Sequence, residues 1–220
     1  MAHAQSKPNW FAIGISIAVV VVLVVLGIVV VALNNKATDA GPAPSSKILD
    51  AETGAITYGD GKDTVAVYID FMCPICNDFE QTYGEQLQKA AEDGKITLEY
   101  HPIAILDRFS QGTDYSSRAA NAVFCVAEKA PDKALDYMNT LFENQPEENT
   151  PGLTDEQLAD FAKQTGADKA ASCITEGTYK KWGAAQAVQH EIKGTPTVDI
   201  NGERLDFQKG ELQKMIDLIS

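Results

Sequence analysis

Four cysteines are the residues of this chain most suited to chemistry, and their spacing divides them into two pairs. Only two residues separate Cys73 from Cys76, whereas Cys125 and Cys173 lie far from each other and from the close pair. Two thiols at the closer spacing can form a disulfide and be reduced again by thiol–disulfide exchange. An even number of cysteines is typical of a protein in an oxidising compartment.

The sequence around the close pair predicts a strand followed by a helix. Residues 64–71 are rich in β-branched and aromatic side chains and predict the strand. Residues 77–93 place apolar side chains at helical spacing and are followed by Gly94, so they predict the helix. Cys73 is therefore expected where the strand gives way to the helix, with Pro74 in the first turn. Free backbone N–H groups and the helix dipole would favour its thiolate.

A structural disulfide and half of a zinc site are the alternatives for Cys73 and Cys76. Zinc needs about four ligands, but the chain has one Cys-x-x-Cys motif, and His101 and His190 lie far from it in sequence. We interpret His190 as a partner of a helix C-terminus and His101 as a packed loop histidine, with a place in a substrate groove as the alternative. The sequence thus predicts a redox pair with no metal and no cofactor. A soft-ligand Cu(I) site is a further alternative.

The distant cysteines lie in helical sequence. Cys125 falls within a predicted helix over residues 115–129, and Cys173 within one over residues 168–176. If they pair, the crosslink would stabilise the fold by about 4 kcal/mol through the unfolded chain. We interpret them as a structural disulfide. A second redox relay is the alternative, but no local feature of either cysteine would lower a thiol pKa.

The N-terminal sequence predicts a membrane anchor. Residues 13–33 contain Ser16 as their only polar side chain, and no charged residue occurs in 8–35. As a helix this stretch would span about 32 Å, which matches the hydrocarbon core of a bilayer. The alternative is a cleaved signal peptide, although its apolar region usually has 7–15 residues. A retained anchor over residues 13–33 predicts a cytoplasmic segment over 1–12 and a polar linker over 34–47.

Residues 48–220 remain for one domain with a core of its own. The whole chain has a formal net charge of −13, which argues against nucleic acid or an anionic membrane surface as a partner. The predicted order is strand, helix, strand, helical block, hairpin and helix, which is an α/β layer with a helical insertion. Beyond the first helix the predicted elements cover residues 96–100, about 110–192, 197–200, 203–207 and 211–219.

Two local patterns refine this prediction. Thr154 and Gln157 have the spacing of a capping box that begins a helix over residues 155–164. Thr195 and Pro196 directly precede the first strand of the hairpin, where a proline donates no ladder hydrogen bond. The local sequence leaves a cis peptide and an ordinary turn equally open at Pro196.

These residues together resemble the DsbA family of thioredoxin-fold oxidoreductases. The resemblance covers most of residues 47–220 and rests on residues 70–76 (DFMCPIC), on the helical insertion and on residues 194–197 (GTPT) before an Asn-Gly hairpin. The predicted anchor and the extra cysteine pair are similar to actinobacterial members of the family. The resemblance implies a thioredoxin-like fold with an inserted helical domain, preceded by one transmembrane helix.

The resemblance also implies roles for individual residues. Cys73 and Cys76 would be catalytic, with Pro74 and Ile75 between them as supporting residues. Pro196 would be cis and lie against the disulfide, and Thr195 would offer backbone hydrogen bonds to an extended substrate.

The function that the resemblance implies is disulfide formation outside the cytoplasm. Substrates would be unfolded secreted proteins with free thiols, and a quinone-linked membrane partner of the DsbB or vitamin K epoxide reductase type would reoxidise the enzyme. The protein would be a single-pass protein of the cell membrane. A disulfide reductase or isomerase, for example in cytochrome maturation, is the alternative, and a copper chaperone on the same scaffold is another.

The chain departs from the family pattern at two positions. Ile75 stands where the best-known oxidant of the family has histidine, so no positive charge from that side chain stabilises the Cys73 thiolate. Val67 stands where several relatives have an acid, so a proton acceptor for Cys76 must lie elsewhere. Asp70 is a nearer candidate, and its alternative role is a charge satisfied near the helix start.

Overall fold

The structure, a computed structural model, describes residues 40–220. The predicted cytoplasmic segment 1–12, the predicted transmembrane helix 13–33 and residues 34–39 of the predicted linker lie outside the described residues. Within residues 40–220, no helix combines the length and the apolar character needed to cross a bilayer.

A five-stranded sheet forms the centre of the domain, and its strand order is β1-β3-β2-β4-β5. β2 and β3 are parallel and all other neighbours are antiparallel. Val67 on the central strand pairs with Tyr100 on one side and Val198 on the other. Val65, Val67 and Ile69 are fully buried on one face of β2, as the β-branched pattern predicts. The strands are β1 Ile56–Tyr58, β2 Asp63–Ile69, β3 Ile96–Pro102, β4 Thr197–Ile200 and β5 Glu203–Arg204.

The described part of the chain also contains eight α-helices. They are α1 Pro74–Phe79, α2 Glu85–Glu92, α3 Tyr115–Lys129, α4 Ala134–Glu143, α5 Asp155–Gln164, α6 Ala171–Glu176, α7 Trp182–Gln189 and α8 Leu212–Ile219. The elements α3 to α7 lie between β3 and β4 in sequence and form the predicted helical insertion. The capping box of α5 is confirmed, because Thr154 and Gln157 bond to each other's backbone N–H groups.

A buried helix and a disulfide organise the insertion. α3 buries most of its residues, including Val123, Phe124 and Cys125. Cys125 is joined to Cys173 on α6 by a disulfide, with a Cα–Cα distance of 5.7 Å. The predicted pairing of these cysteines is therefore present, and it ties two helices of the insertion together.

The helix that follows the close cysteine pair contains a π-helical turn. α1 and α2 are joined by the π-helical segment Glu80–Gly84, a feature that sequence periodicity did not predict. A Cβ atom on Gly84 would lie 2.8 Å from the carboxyl Oε2 of Glu80, so the glycine leaves room for that carboxyl group. Oε2 accepts a hydrogen bond from the Tyr100 hydroxyl at 2.9 Å, while Oε1 is shielded from solvent without a partner.

The described part of the predicted linker, residues 40–47, lies along the domain. Pro44 is buried, and Lys47 forms an ion pair with Asp132 at 2.7 Å. These residues therefore pack on the folded body.

We expect that replacing both Cys125 and Cys173 by alanine lowers the free energy of unfolding by about 4 kcal/mol. The crosslink spans 48 residues, and removing it restores the entropy of that loop in the unfolded chain. Urea denaturation, with the Cys73–Cys76 pair oxidised in both proteins, measures the difference. An unchanged midpoint together with lost thiol exchange would favour the redox-relay alternative instead.

Glu80→Gln should stabilise the protein increasingly as the pH rises from about 4.5 to about 7. Burial raises the pKa of Glu80 to about 7 from an ordinary value of 4.5, so the folded state loses stability in this window as the unfolded chain ionises first. The gain should reach about 3 kcal/mol at pH 8. Urea denaturation at pH 4.5 and pH 8 tests this, with exposed Glu85→Gln as the control. A gain that does not depend on pH would contradict it.

Candidate active site

Cys73 lies at the junction between β2 and α1, as predicted. It is the residue before the helix and has an extended backbone, with φ −81° and ψ 115°. Its N–H donates to the Asp70 carbonyl at 3.0 Å, and its own carbonyl accepts from the N–H groups of Cys76 at 3.1 Å and Asn77 at 3.3 Å. Pro74 occupies the first helical turn, where its missing N–H leaves no hydrogen bond unmade.

The two sulfurs of the close pair differ in access. Both cysteines are free thiols; Cys73 is 5% exposed and Cys76 is completely buried. Ile75 between them is 59% exposed, and Pro74 is exposed as well. Cys73 therefore keeps a small exposed fraction through which an incoming thiolate can approach, whereas Cys76 has none.

Hydrogen-bond donors lower the pKa of the Cys73 thiol to about 6. The largest cause is the Cys76 thiol, and the Thr195 side chain and the N–H groups of Cys76 and Ile75 act in the same direction against burial. The protonated thiol can itself donate to the Thr195 carbonyl at 3.4 Å, which favours the thiol, but the donors to the thiolate outweigh it. Cys73 is thus mostly thiolate at pH 7.

The pKa of Cys76 is shifted the other way. Burial raises it well above its ordinary value, and the nearby Cys73 sulfur raises it further. The pair therefore combines one stabilised thiolate with one thiol that keeps its proton. This is the arrangement in which the first sulfur is attacked and released while the second remains protected.

The loop before β4 reaches the Cys73 sulfur. The Thr195–Pro196 peptide bond is cis, and the carbonyl of Thr195 is the one that lies 3.4 Å from Cys73 Sγ. Thr195 and Pro196 are half-buried and Gly194 is exposed. The structure thus brings together all of the predicted active-site residues: Cys73, Pro74, Ile75, Cys76, Thr195 and Pro196.

Asp70 is fully buried and its carboxylate is used in holding the backbone together. Oδ1 accepts from the Met72 N–H at 2.9 Å, and Oδ2 accepts from the N–H groups of Ile105 at 2.9 Å and Leu106 at 3.0 Å. Burial raises the pKa of Asp70, although these bonds oppose the rise. The structure favours the alternative of a satisfied charge, with the partners lying in the turn and in the segment after β3.

The two histidines considered from the sequence lie away from the redox pair. His101 belongs to β3, so its predicted loop position was wrong; it is buried and stacks on Tyr68 with ring centroids 4.3 Å apart. His190 directly follows α7, but burial lowers its pKa and so disfavours the cation that a helix dipole attracts. Both rings instead contact the Thr53 carbonyl, at 3.2 and 2.8 Å.

Sequence reasoning missed Gln145, which lies in the loop after α4. Its side-chain Nε2 donates to the carbonyls of Phe71 at 3.2 Å and Cys73 at 2.9 Å. A glutamine in a polar loop carries no periodic or motif signal, and it lies 72 residues from Cys73. Only the folded arrangement identifies it.

Comparison with known proteins agrees with a thioredoxin-like fold. A family model described as Thioredoxin matches residues 52–218. The serine/threonine-protein kinase PknE of Mycobacterium tuberculosis is 34% identical over 119 residues, which are 52% of this chain and 21% of the kinase. The chain thus spans about a fifth of that relative. Disulfide bond formation protein D of Bacillus subtilis is 26% identical over 176 residues, or 76% of each protein.

Among solved structures, oxidised DsbA of M. tuberculosis superposes with a TM-score of 0.66 and 28% identity, covering 76% of this chain and 93% of that one. This superposition supports the thioredoxin-like fold with a helical insertion that the sequence resemblance implied. The family model alone covers well over half of the chain. The chain therefore belongs to the thioredoxin family, and within it to the DsbA-like thiol–disulfide oxidoreductases.

Proposed function

We propose that this protein is an oxidase that introduces disulfide bonds into secreted or surface proteins through the Cys73–Cys76 pair. The observation that carries the proposal is the contrast between the two thiols. The pKa of Cys73 is lowered to about 6 while that of Cys76 is raised. Such a pair stabilises the reduced state of the enzyme, and a disulfide whose reduced form is stabilised is a strong oxidant.

The reaction would begin with the oxidised pair. A substrate thiolate attacks Cys73 Sγ, the Cys73–Cys76 bond breaks, and Cys76 takes up a proton as it leaves. A second substrate thiolate then attacks the substrate sulfur of the mixed disulfide and releases Cys73 as a thiolate. The substrate loses two electrons and two protons in forming its disulfide, and the enzyme gains the two electrons as its reduced pair.

Neutral groups stabilise the Cys73 thiolate, and the oxidase direction of the reaction depends on that stabilisation. The Cys76 thiol, the Thr195 side chain and two backbone N–H groups support the thiolate, and Ile75 contributes no charge. A reductase or isomerase is the second candidate, because a centre without a neighbouring positive charge is less oxidising than one with it. Redox equilibration against glutathione separates them, since an oxidase should be reduced by a small fraction of reduced glutathione.

We further propose that the domain lies outside the cytoplasm on a single-pass anchor. The apolar residues 13–33 support the anchor, and the Cys125–Cys173 disulfide is suited to an oxidising compartment. Each turnover would leave the pair reduced, so a reoxidase is required. A quinone-linked membrane protein of the DsbB or vitamin K epoxide reductase type would meet an anchored enzyme in the plane of the bilayer.

The substrate is proposed to be an unfolded chain bound in extended form. Ile75, two residues after Cys73, and Gly194, directly before Thr195, are both exposed, and the Thr195 loop offers backbone groups to an extended segment. Such binding depends on the backbone of the substrate more than on its side chains, which suits an enzyme with many substrates.

The thiolate absorbance of the reduced protein at 240 nm should titrate with a midpoint near pH 6. The donors around Cys73 hold its pKa at about 6, and unfolding in urea should return the midpoint to that of an ordinary cysteine, about 8.5. Cys73→Ala should remove the low transition, because Cys76 keeps its proton. An ordinary midpoint in the folded wild type would rule out the oxidase proposal.

Cys76→Ala in the native host should accumulate mixed disulfides, because the Cys73 thiolate still attacks the disulfides of oxidised substrates and of the reoxidase, displacing one of their thiolates, while no Cys76 thiol remains to attack Cys73 Sγ and release the partner. Non-reducing gels of membrane fractions followed by mass spectrometry should identify secreted proteins and a membrane-embedded reoxidase. The Cys73→Ala/Cys76→Ala double variant is the control and should trap nothing. Adducts confined to the soluble cytoplasmic fraction would contradict the proposed anchor and location.

A further inference from the structure

We propose that Gln145 is a positioning residue of the redox site: from the helical insertion, it fixes the turn that presents Cys73 and so helps to keep that residue a thiolate. This inference rests on the proposed thiol–disulfide chemistry. It adds to that chemistry a residue that lies outside the Cys-x-x-Cys motif and its loop partner.

The side-chain amide of Gln145 spans the turn between β2 and α1. Its Nε2 lies 3.2 Å from the Phe71 carbonyl and 2.9 Å from the Cys73 carbonyl. A primary amide has two N–H groups, so one nitrogen can donate to both carbonyls at once. Two points of the turn, two residues apart, are therefore held by a single side chain.

The Cys73 carbonyl is the acceptor on which the start of the helix depends. It accepts from the N–H groups of Cys76 and Asn77 in addition to the amide of Gln145. The same turn directs the N–H groups of Ile75 and Cys76 toward the Cys73 sulfur. Pro74 follows Cys73 and has no N–H with which to anchor the intervening peptide. Without Gln145, the carbonyl of the Cys73–Pro74 peptide group would lose its side-chain donor.

Gln145 is itself held in place at the end of α4. Its backbone N–H donates to the Phe142 carbonyl at 3.2 Å. The Phe142 ring packs on the Phe71 ring with centroids 4.8 Å apart. The apolar contact sets the distance between insertion and turn, and the amide then sets the orientation of the turn. The two contributions can be separated by substitution, because leucine at position 145 keeps much of the volume and removes the donors.

The purely structural alternative is that Gln145 only ties the loop down. Both roles predict some loss of stability on substitution, so stability cannot distinguish them. The pKa of Cys73 can distinguish the two roles, because a residue that only holds a loop should not change the ionisation of a sulfur that it does not contact.

The test is a thiolate titration at 240 nm of the full-length reduced protein in detergent, comparing wild type with Gln145→Leu. The pKa of Cys73 should rise in the variant so that the ratio of thiolate to thiol at a given pH falls about threefold or more, the effect of one lost hydrogen bond. Gln145→Lys, which keeps N–H donors and adds a positive charge, should leave that ratio at or above the wild-type value. Gln164→Leu, at an exposed position at the end of α5, is the matched control and should titrate as wild type.

A folded Gln145→Leu protein that titrates as wild type overturns this inference and leaves the proposed function intact. A wild-type midpoint at an ordinary cysteine value would instead remove the proposed function. If the leucine variant does not fold, Gln145→Met carries the test, because an unbranched neutral side chain of similar length has no N–H to donate and should also raise the pKa of Cys73. An unchanged pKa in that variant would likewise overturn the inference.

Discussion

The site depends on the stabilisation of one sulfur anion by groups that carry no formal charge. Burial alone would favour the neutral thiol of Cys73, as it does for Cys76. What reverses the balance at Cys73 is a set of donors that converge from three directions: the helix start, the second cysteine and the Thr195 loop. Each donor is oriented by backbone geometry, so the chemistry of the sulfur is inseparable from the position of the turn.

Several buried contacts serve to keep that turn in place. Asp70 bonds to the backbone of Met72 within the turn and to Ile105 and Leu106 beyond β3. Gln145 approaches the same turn from the helical insertion. The turn is thus held by polar contacts from the sheet side and from the insertion side, whereas the apolar contact of Phe71 with Phe142 fills the space between them. The insertion therefore contributes to the redox site as well as to the size of the domain.

The sequence predicted the local elements well and the long-range contacts poorly. β2, the helix after Cys73, the capping box of α5 and the hairpin before α8 each have a signal within a few residues, and each is present. β1 was missed because three residues carry no measurable alternation. The backbone partners of Gln145, and the Ile105 and Leu106 partners of Asp70, lie tens of residues away, and every residue type offers such groups. No pattern of side chains could therefore have identified them.

The long separation in sequence between Cys73 and Thr195 affects when the redox site can form during synthesis and folding. Their contact closes a stretch of 122 residues that contains the whole insertion. A chain synthesised from its N-terminus contains Cys73 long before Thr195 exists beside it. The surroundings that lower the pKa of Cys73 are therefore complete only when the strands at the end of the chain have joined the sheet.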